Sequence, residues 1–302
     1  MEIEFKPITI HDREVITSYT LPSDYKNCDF AFANMCSWRF LYDSEFAVAD
    51  DFLLIRFWIE NHSRLVYMVP VGFGNMQHAI QLLEKDSLAH GHPLCMLGVT
   101  PDAQERLEEA FPYDFKYIPE RDYYDYIYLR EDLQELKGKK YQAKRNHINK
   151  FIDKYSYKYL PITPELVPEC LELESKWFHA NQEKNEDDEL SDERRSLIYA
   201  LKHYDELGLI GGGLCVNGEI AAFTFGSPVN HNTFGVHVEK ADVSYEGAFT
   251  MINKEFVSRL PEQYVYINRE EDLGLPGLRQ SKMSYHPAIL LEKDVAIKKT
   301  DN

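Results

Sequence analysis

The order of elements constrains this chain most: hairpin, helix, strand, helix, strand reads twice along its 302 residues. In the first pass, FLLIRFWIE (52–60) and RLVYMVP (64–70) are β-rich runs joined at Asn61-His62-Ser63. A helix over 76–90 follows, with Ile80 and Leu83 on one face and Gly91 as its stop. Residues 94–99 read as a strand, Thr100-Pro101 opens a helix that Pro112 ends, and 123–129 is a closing strand. In the second pass, strands 209–216 and 219–225 flank Asn217-Gly218, the pair best suited to a two-residue type I′ turn. Strand 233–239 (TFGVHVE) alternates, which predicts His237 and Glu239 on one face and Phe234, Val236 and Val238 on the other. A helix over 247–260 (Phe249, Ile252, Phe256 and Leu260 inward), a strand 264–268, a short helix over 275–283 and a strand 287–293 complete it. Two α+β units, 1–135 and 136–302, suit this order better than one doubly wound sheet.

Between the passes lies KGKKYQAKRNHINK, which holds six basic residues and no acid from Lys137 to Lys150. Its composition is helical, with Tyr141, Ile148 and Ile152 as inward positions. The whole chain has 33 Lys and Arg against 50 Asp and Glu, a net charge of -17. A field of that sign repels a polyanion unless basic charge is gathered locally, as it is here. Thr163-Pro164 starts a further helix, NQEKNEDDELSDE is an acidic, mobile loop, and Ser191 caps the next helix. Acidic runs of this kind are more often solvated linkers than partner-binding segments.

No apolar run approaches the roughly 18 residues of a membrane-spanning helix. The opening MEIEFKPITIHDREV has no basic stretch followed by an apolar one, so no signal peptide is read there and the cytoplasm is the expected compartment. Five widely spaced cysteines without a C-x-x-C pair make disulfides and a zinc site improbable. His90-Gly-His92 has no third ligand nearby in sequence and reads as surface, so no metal is expected. The signatures of nucleotide hydrolysis, dinucleotide redox chemistry, serine hydrolysis and zinc proteolysis are absent. Gly211-Gly212-Gly213 precedes a hairpin rather than a helix, which favours close packing over phosphate binding. The alternating tyrosines Tyr123, Tyr124, Tyr126 and Tyr128 fit a strand with core and surface faces better than a base-stacking platform.

The stretch from Asn268 to Pro287 (NREEDLGLPGLRQSKMSYHP) is the richest in chemistry. It follows a short apolar strand, where α/β sheets place ligands, and carries Arg279 and Lys282 three apart on a short helix. Two readings stand side by side: a dock for an anionic group, or a salt-bridge cluster tying the last helix to the sheet.

Three motifs now combine: N-R-E-x-D-L-G-x-x-G-L-R-x-x-K-x-S-Y-x-P (Asn268 to Pro287), H-V-E-K-A (His237 to Ala241) and G-K-K-Y-x-x-K-R-N-x-I-N-K-F (Gly138 to Phe151). Together they resemble the family named for the C-terminal domain of phosphatidylglycerol lysyltransferase. That resemblance implies two tandem GNAT-like units, each a mixed, mostly antiparallel sheet flanked by helices, with kinship to the Fem transferases that add amino acids to peptidoglycan precursors. It also implies transfer of an aminoacyl group from aminoacyl-tRNA to a hydroxyl or amine, on a small molecule or a lipid headgroup, with the active site in the second unit. Carried over by position, Lys144 and Arg145 would meet tRNA phosphates, and Arg279 and Lys282 the terminal adenosine phosphate or the acceptor. His237 and Glu239 would polarise or deprotonate the nucleophile, and Asp272 would hold the donor's amino group. Lys240, Asn268, Arg269 and Tyr285, within the same motifs, complete the substrate-binding set. An aminoacyl ester is already activated, so positioning and an oxyanion contact suffice and no strong catalytic signature is expected.

Two other functions stay open at this point. An acyl-coenzyme A dependent N-acetyltransferase would need a glycine-rich pyrophosphate loop after the central strand, where this chain has ADVSYEGA (241–248), with one glycine and two acids. A non-catalytic ligand-binding protein on the same fold is the other.

Overall fold

The computed structural model describes residues 3–182 and 188–299 and contains two mixed sheets flanked by helices. In the first sheet the strands run Lys6–Pro7, Glu45–Ala49, Phe52–Ile59, Arg64–Met68, Cys95–Val99, Asp294–Lys298 and Phe115–Pro119, with Val71–Gly72 added beside Phe52–Ile59. In the second they run Ile289–Leu291, Asp125–Leu129, Tyr266–Asn268, Thr233–Ala241, Glu219–Pro228, Ile210–Val216 and Tyr157–Pro161. Each sheet is antiparallel except at one place. Arg64–Met68 pairs in parallel with Cys95–Val99, and Thr233–Ala241 with Tyr266–Asn268. These are the two mixed, mostly antiparallel sheets flanked by helices that the resemblance implied.

The turn chemistry acts as expected. Asn217 and Gly218 both take positive φ, 52° and 89°, as a type I′ turn requires, and the strands on either side pair antiparallel from Val216 and Glu219, with a bulge at Ala221. The glycine triplet lies inside strand Ile210–Val216, where a Cβ on Gly212 would stand 2.0 Å from the Tyr159 hydroxyl. Close packing therefore accounts for that glycine.

Two strands cross the expected division at 135/136. Asp125–Leu129 belongs to the second sheet, and Asp294–Lys298 returns to the first, between Cys95–Val99 and Phe115–Pro119. The largest apolar cluster likewise runs across both units, joining Phe52, Leu54 and Met96 of the first to Cys170, Phe223 and Phe225 of the second. Continuous burial of this kind makes the pair of sheets one packed body.

The second sheet is covered on both faces. Helix Val167–Gln182 and the large cluster lie on one side, and helix Ala248–Val257 on the other, packed with Phe234, Val236 and Tyr285. Helix Gln142–Lys154 buries Ile148 and Phe151, whereas Ile152, expected inward, is 50% exposed. Within the acidic loop, residues 183–187 lie outside the described residues.

Candidate active site

The central strand Thr233–Ala241 and its parallel neighbour part at Gly235. Thr233, Phe234 and Gly235 pair with Tyr266, Ile267 and Asn268, and beyond them the central strand is bonded to Glu219–Pro228 alone. The neighbour turns away through Arg269 and Glu270. Glu270 sits at φ 61°, in the left-handed region that non-glycine residues rarely occupy and that concentrates at functional sites. Its amide donates to Asn268 Oδ1 at 2.7 Å, and its carbonyl accepts from the Tyr126 amide at 3.1 Å, which holds the turn in place. Arg269 and Glu270 then send their side chains to opposite faces, and each spans the gap back to the central strand.

On the face of helix Ala248–Val257, Arg269 Nη2 donates to Glu239 Oε1 at 2.9 Å, and Asn253 Nδ2 donates to the other carboxylate oxygen at 3.2 Å. The guanidinium lies 4.8 Å over the Tyr285 ring. Lys144, from helix Gln142–Lys154, places Nζ 3.6 Å from the centre of the same ring, with no acid in ion-pair range among the described residues. Burial, with the Arg269 charge beside it, pushes the Lys144 ammonium down to about 8 against the pull of Glu239. Among the described residues, Arg269 Nη1 is buried without a hydrogen-bond partner. Two cations against one carboxylate leave a net positive charge that can attract an anionic oxygen. All three motif regions meet here, through Lys144, through Glu239, and through the pair Arg269 and Tyr285.

On the opposite face, His237 Nδ1 is 2.8 Å from Glu270 Oε1 and Nε2 is 2.7 Å from Ser227 Oγ. Asn34, from the first unit, donates to the same Glu270 oxygen at 2.8 Å. His237 and Glu239 therefore do not share a face, contrary to the alternation expected of this strand. The cause is a bulge: Phe225 pairs with Val238 but Gly226 with Val236, leaving His237 as an extra residue. Val236 accordingly packs with helix Ala248–Val257, while Val238 packs on the other core.

The remaining residues selected from sequence have mostly structural partners. Asp272 is fully buried and accepts from Arg279 at 2.8 Å twice, Arg121 at 3.1 Å, the Tyr126 hydroxyl at 2.6 Å and the Gly274 amide at 2.9 Å. Burial alone would raise its pKa, but these donors hold the carboxyl well below the usual range. Its oxygens are committed, so it offers no bond to a donor's amino group. Arg279 is shared between Asp272 and Asp122, which realises the salt-bridge reading of this helix. Lys282 is buried and caps the carbonyls of Arg269 and Glu271 rather than facing a ligand. Arg145 holds the carbonyls of Leu136 and Gly138, at 2.5 and 2.7 Å. Asn268 Nδ2 ties Lys26 O to Asp125. Lys240 points to the far side, 2.6 Å from Glu193 and 3.3 Å over the Trp177 ring.

Sequence reasoning missed Ser227, Glu270 and a buried ionic knot. Lys293 Nζ lies 3.0 Å from Asp29, 2.8 Å from Asp125 and 2.5 Å from Glu271. Cys28 Sγ is 3.5 Å from Asp125 and 3.4 Å from Glu271. Burial pushes Asp125 up to about 7 even beside the ammonium, and burial followed by its acidic neighbours raises the Cys28 thiol well above its ordinary value. Cys28, Asp29 and Glu271 stand close enough to share an ion, but the Lys293 ammonium already lies among them. Only the double acid of the E-E-D run hinted at this knot, whose other members come from 22 to 243 residues away.

The start of helix Ala248–Val257, where a coenzyme A pyrophosphate would dock in a GNAT unit, is covered. Gly247, at φ 91°, packs so closely that a Cβ would stand 2.3 Å from the His147 carbonyl. The nearby charges of Lys150 and Lys154 are taken up by Glu246.

Comparison with known proteins agrees with this architecture. A crystal structure of a conserved protein of unknown function from Bacteroides thetaiotaomicron superposes with a TM-score of 0.95 at 54% identity, over 98% of this chain and 100% of that one. The L-PGS structure from Bacillus licheniformis superposes with a TM-score of 0.68 at 15% identity, over 98% and 94% of the two chains, a likeness of fold. An uncharacterised protein of Mycoplasmoides gallisepticum is 25% identical over 170 residues, 56% of this chain and about half (54%) of its own length. The family model described as "Phosphatidylglycerol lysyltransferase, C-terminal" matches residues 22–296, and the chain therefore belongs to that family.

Proposed function

We propose that this protein transfers an aminoacyl group from aminoacyl-tRNA to an amine or hydroxyl acceptor, a small molecule or a lipid headgroup. The observation that carries the reading is the meeting of Lys144, Glu239, Arg269 and Tyr285 at the mouth of the splayed strands. Such a cationic, aromatic-floored receptor suits a terminal nucleotide of the donor, its phosphate on Lys144 and Arg269. The ester would then lie along the unpaired edge beyond Gly235, where free backbone amides can meet a developing oxyanion. Because the ester is activated, holding the acceptor beside it supplies most of the rate. Charged tRNA is found in the cytoplasm, and the reading places the protein's work there.

The covered start of helix Ala248–Val257 weighs against coenzyme A as the donor. Incubation with pools of tRNA charged with labelled amino acids, in the presence of amine, hydroxyl and lipid-headgroup acceptors, tests the proposal. Transfer that fails on substituting Lys144 or Arg269 supports it. Stabilisation by acetyl-coenzyme A with silence from every charged tRNA would overturn it.

A further inference from the structure

We propose that the first unit carries a second ligand site, a cavity that takes a small zwitterion with a free ammonium and a free carboxylate, as in an amino acid or a dipeptide. The site is independent of the transfer reading, because none of its residues belongs to the crevice of Lys144, Glu239, Arg269 and Tyr285.

The cavity measures about 410 Å³, and small-molecule sites run from about 300 to 1,000 Å³. Short helix Arg39–Tyr42 gives Arg39 and Phe40 to its lining, and the turn after it gives Asp43 and Ser44. Glu45 opens the next strand, and Trp58 comes from strand Phe52–Ile59 beside it.

The charges of this lining have both signs and are not spent on one another. Among the described residues, no ion pair joins the Arg39 guanidinium to Asp43 or Glu45, although all three line one hollow. Each has another partner instead. Arg39 Nη1 donates to the Ile8 carbonyl at 3.1 Å, Glu45 Oε2 accepts from Arg56 Nε at 2.7 Å, and Asp43 Oδ2 lies 3.3 Å from His62 Nδ1. That leaves Arg39 Nη2, Glu45 Oε1 and Asp43 Oδ1 without a hydrogen bond among the described residues.

The backbone fixes where the acid stands relative to the arginine. Asp43 takes φ 43° and ψ 48°, in the left-handed region, and its amide donates to the Arg39 carbonyl at 2.8 Å, which ends the helix there. The aromatic part of the lining is braced as well. Trp58 meets His92 and His90 edge-on, at 5.9 and 6.4 Å, and Phe40 stacks on Trp38 with the Arg195 guanidinium 4.0 Å over its ring. A ligand of single charge would answer one sign and leave the other unmet. A zwitterion answers both, its ammonium on Asp43 and Glu45, its carboxylate on Arg39, and its apolar part against Trp58 and Phe40.

Calorimetric titration of the intact protein with the standard amino acids and with glycylphenylalanine, each up to about 10 mM, tests the site. At least one should bind, and whether it is an amino acid or the dipeptide identifies the source. Removing the carboxylate or the ammonium from the tightest binder should each weaken it about tenfold or more, the usual worth of a hydrogen bond to a charged group. Asp43→Asn keeps a residue that tolerates the left-handed backbone. It should weaken the zwitterion about tenfold and spare the analogue that lacks the ammonium, whereas Arg39→Gln should spare the analogue that lacks the carboxylate. Circular dichroism confirms that each variant is folded. Silence from every ligand overturns the site, as does an analogue of single charge that binds as tightly as its parent, or a folded Asp43→Asn with wild-type affinity. No tRNA enters these titrations, so failure of the transfer reading would leave their outcome unchanged.

Discussion

Replacing Lys144 by methionine should stabilise the protein at neutral pH while weakening its hold on an anion. In the unfolded chain this ammonium keeps its proton up to its ordinary value of 10.5, whereas in the folded protein burial and Arg269 bring it to about 8. At pH 7 both states are protonated, and the folded state alone bears the cost of a poorly solvated cation. A fall of about 2.5 corresponds to a ceiling of about 3 kcal/mol. Part of the group faces water, and contact with the Tyr285 face returns some of the cost, which leaves about 1–2 kcal/mol. As the pH climbs from 8 to 10.5 the folded state sheds its proton first, so this cost disappears and stability from this group rises. Methionine keeps the apolar stem and a favourable sulfur contact with the ring and carries no charge at any pH. Urea unfolding at pH 7, 9 and 10 should therefore show Lys144→Met more stable than wild type at pH 7, with the gap closing by pH 10. A variant less stable than wild type at pH 7, or a gap that does not change with pH, would refute the electrostatic account. Binding of an anion at this crevice must in turn favour the protonated lysine, so affinity for charged tRNA should weaken above pH 8 in wild type and lose that dependence in the variant.

Lys293→Met should cost about 3–5 kcal/mol in unfolding free energy, because it leaves Asp29, Asp125 and Glu271 facing one another without a cation; an unchanged midpoint would sink this reading. Glu239→Gln strips Arg269 of its partner inside the fold and should lower both stability and transfer, with Asn253→Ala much milder on each assay. Gly226→Ala should destabilise strongly, by about 1–3 kcal/mol or more, since its Cβ would stand 1.8 Å from the Gly235 carbonyl. Gly277→Ala, in open space on helix Pro276–Met283, should add about 0.4–1 kcal/mol instead, and thermal unfolding of the two variants reads both signs.

The features legible in sequence were those that local chemistry determines. Asn217-Gly218 and the helix start at Thr100-Pro101 needed only near neighbours, and each is present, the proline opening the helix without a cap bond from the Thr100 side chain. The bulge at His237 escaped because an extra residue leaves apolar and polar residues alternating in sequence while reversing the face they take. Ser227 escaped for another reason: one serine in an apolar strand has no pattern, and its meaning appears only when His237 and Glu270 arrive from elsewhere. Asp272 was chosen for its charge and its motif, but the Arg121 and Tyr126 that occupy it come from about 150 residues earlier. The short elements Arg13–Thr20, Phe32–Ser37 and Glu45–Ala49 went unread, since each is shorter than the window over which periodicity speaks. Among them is the source of Asn34, which reaches Glu270 from the first unit.

Strand Asp294–Lys298 has a consequence for how the protein is made. Cys95–Val99 and Phe115–Pro119 touch no common strand until this segment slides between them. At ribosomal speeds the wait between Pro119 and Asp294, about 175 residues, lasts roughly 10–35 s. Throughout that interval the growing chain holds two unsatisfied strand edges in its earlier half, a hazard for association with other nascent chains. This segment acts as a latch, so that the earlier half is sealed only after Asp294–Lys298 has been made. Loss of Asp294–Lys298 would then be felt first at Cys95–Val99 and Phe115–Pro119, far away in sequence.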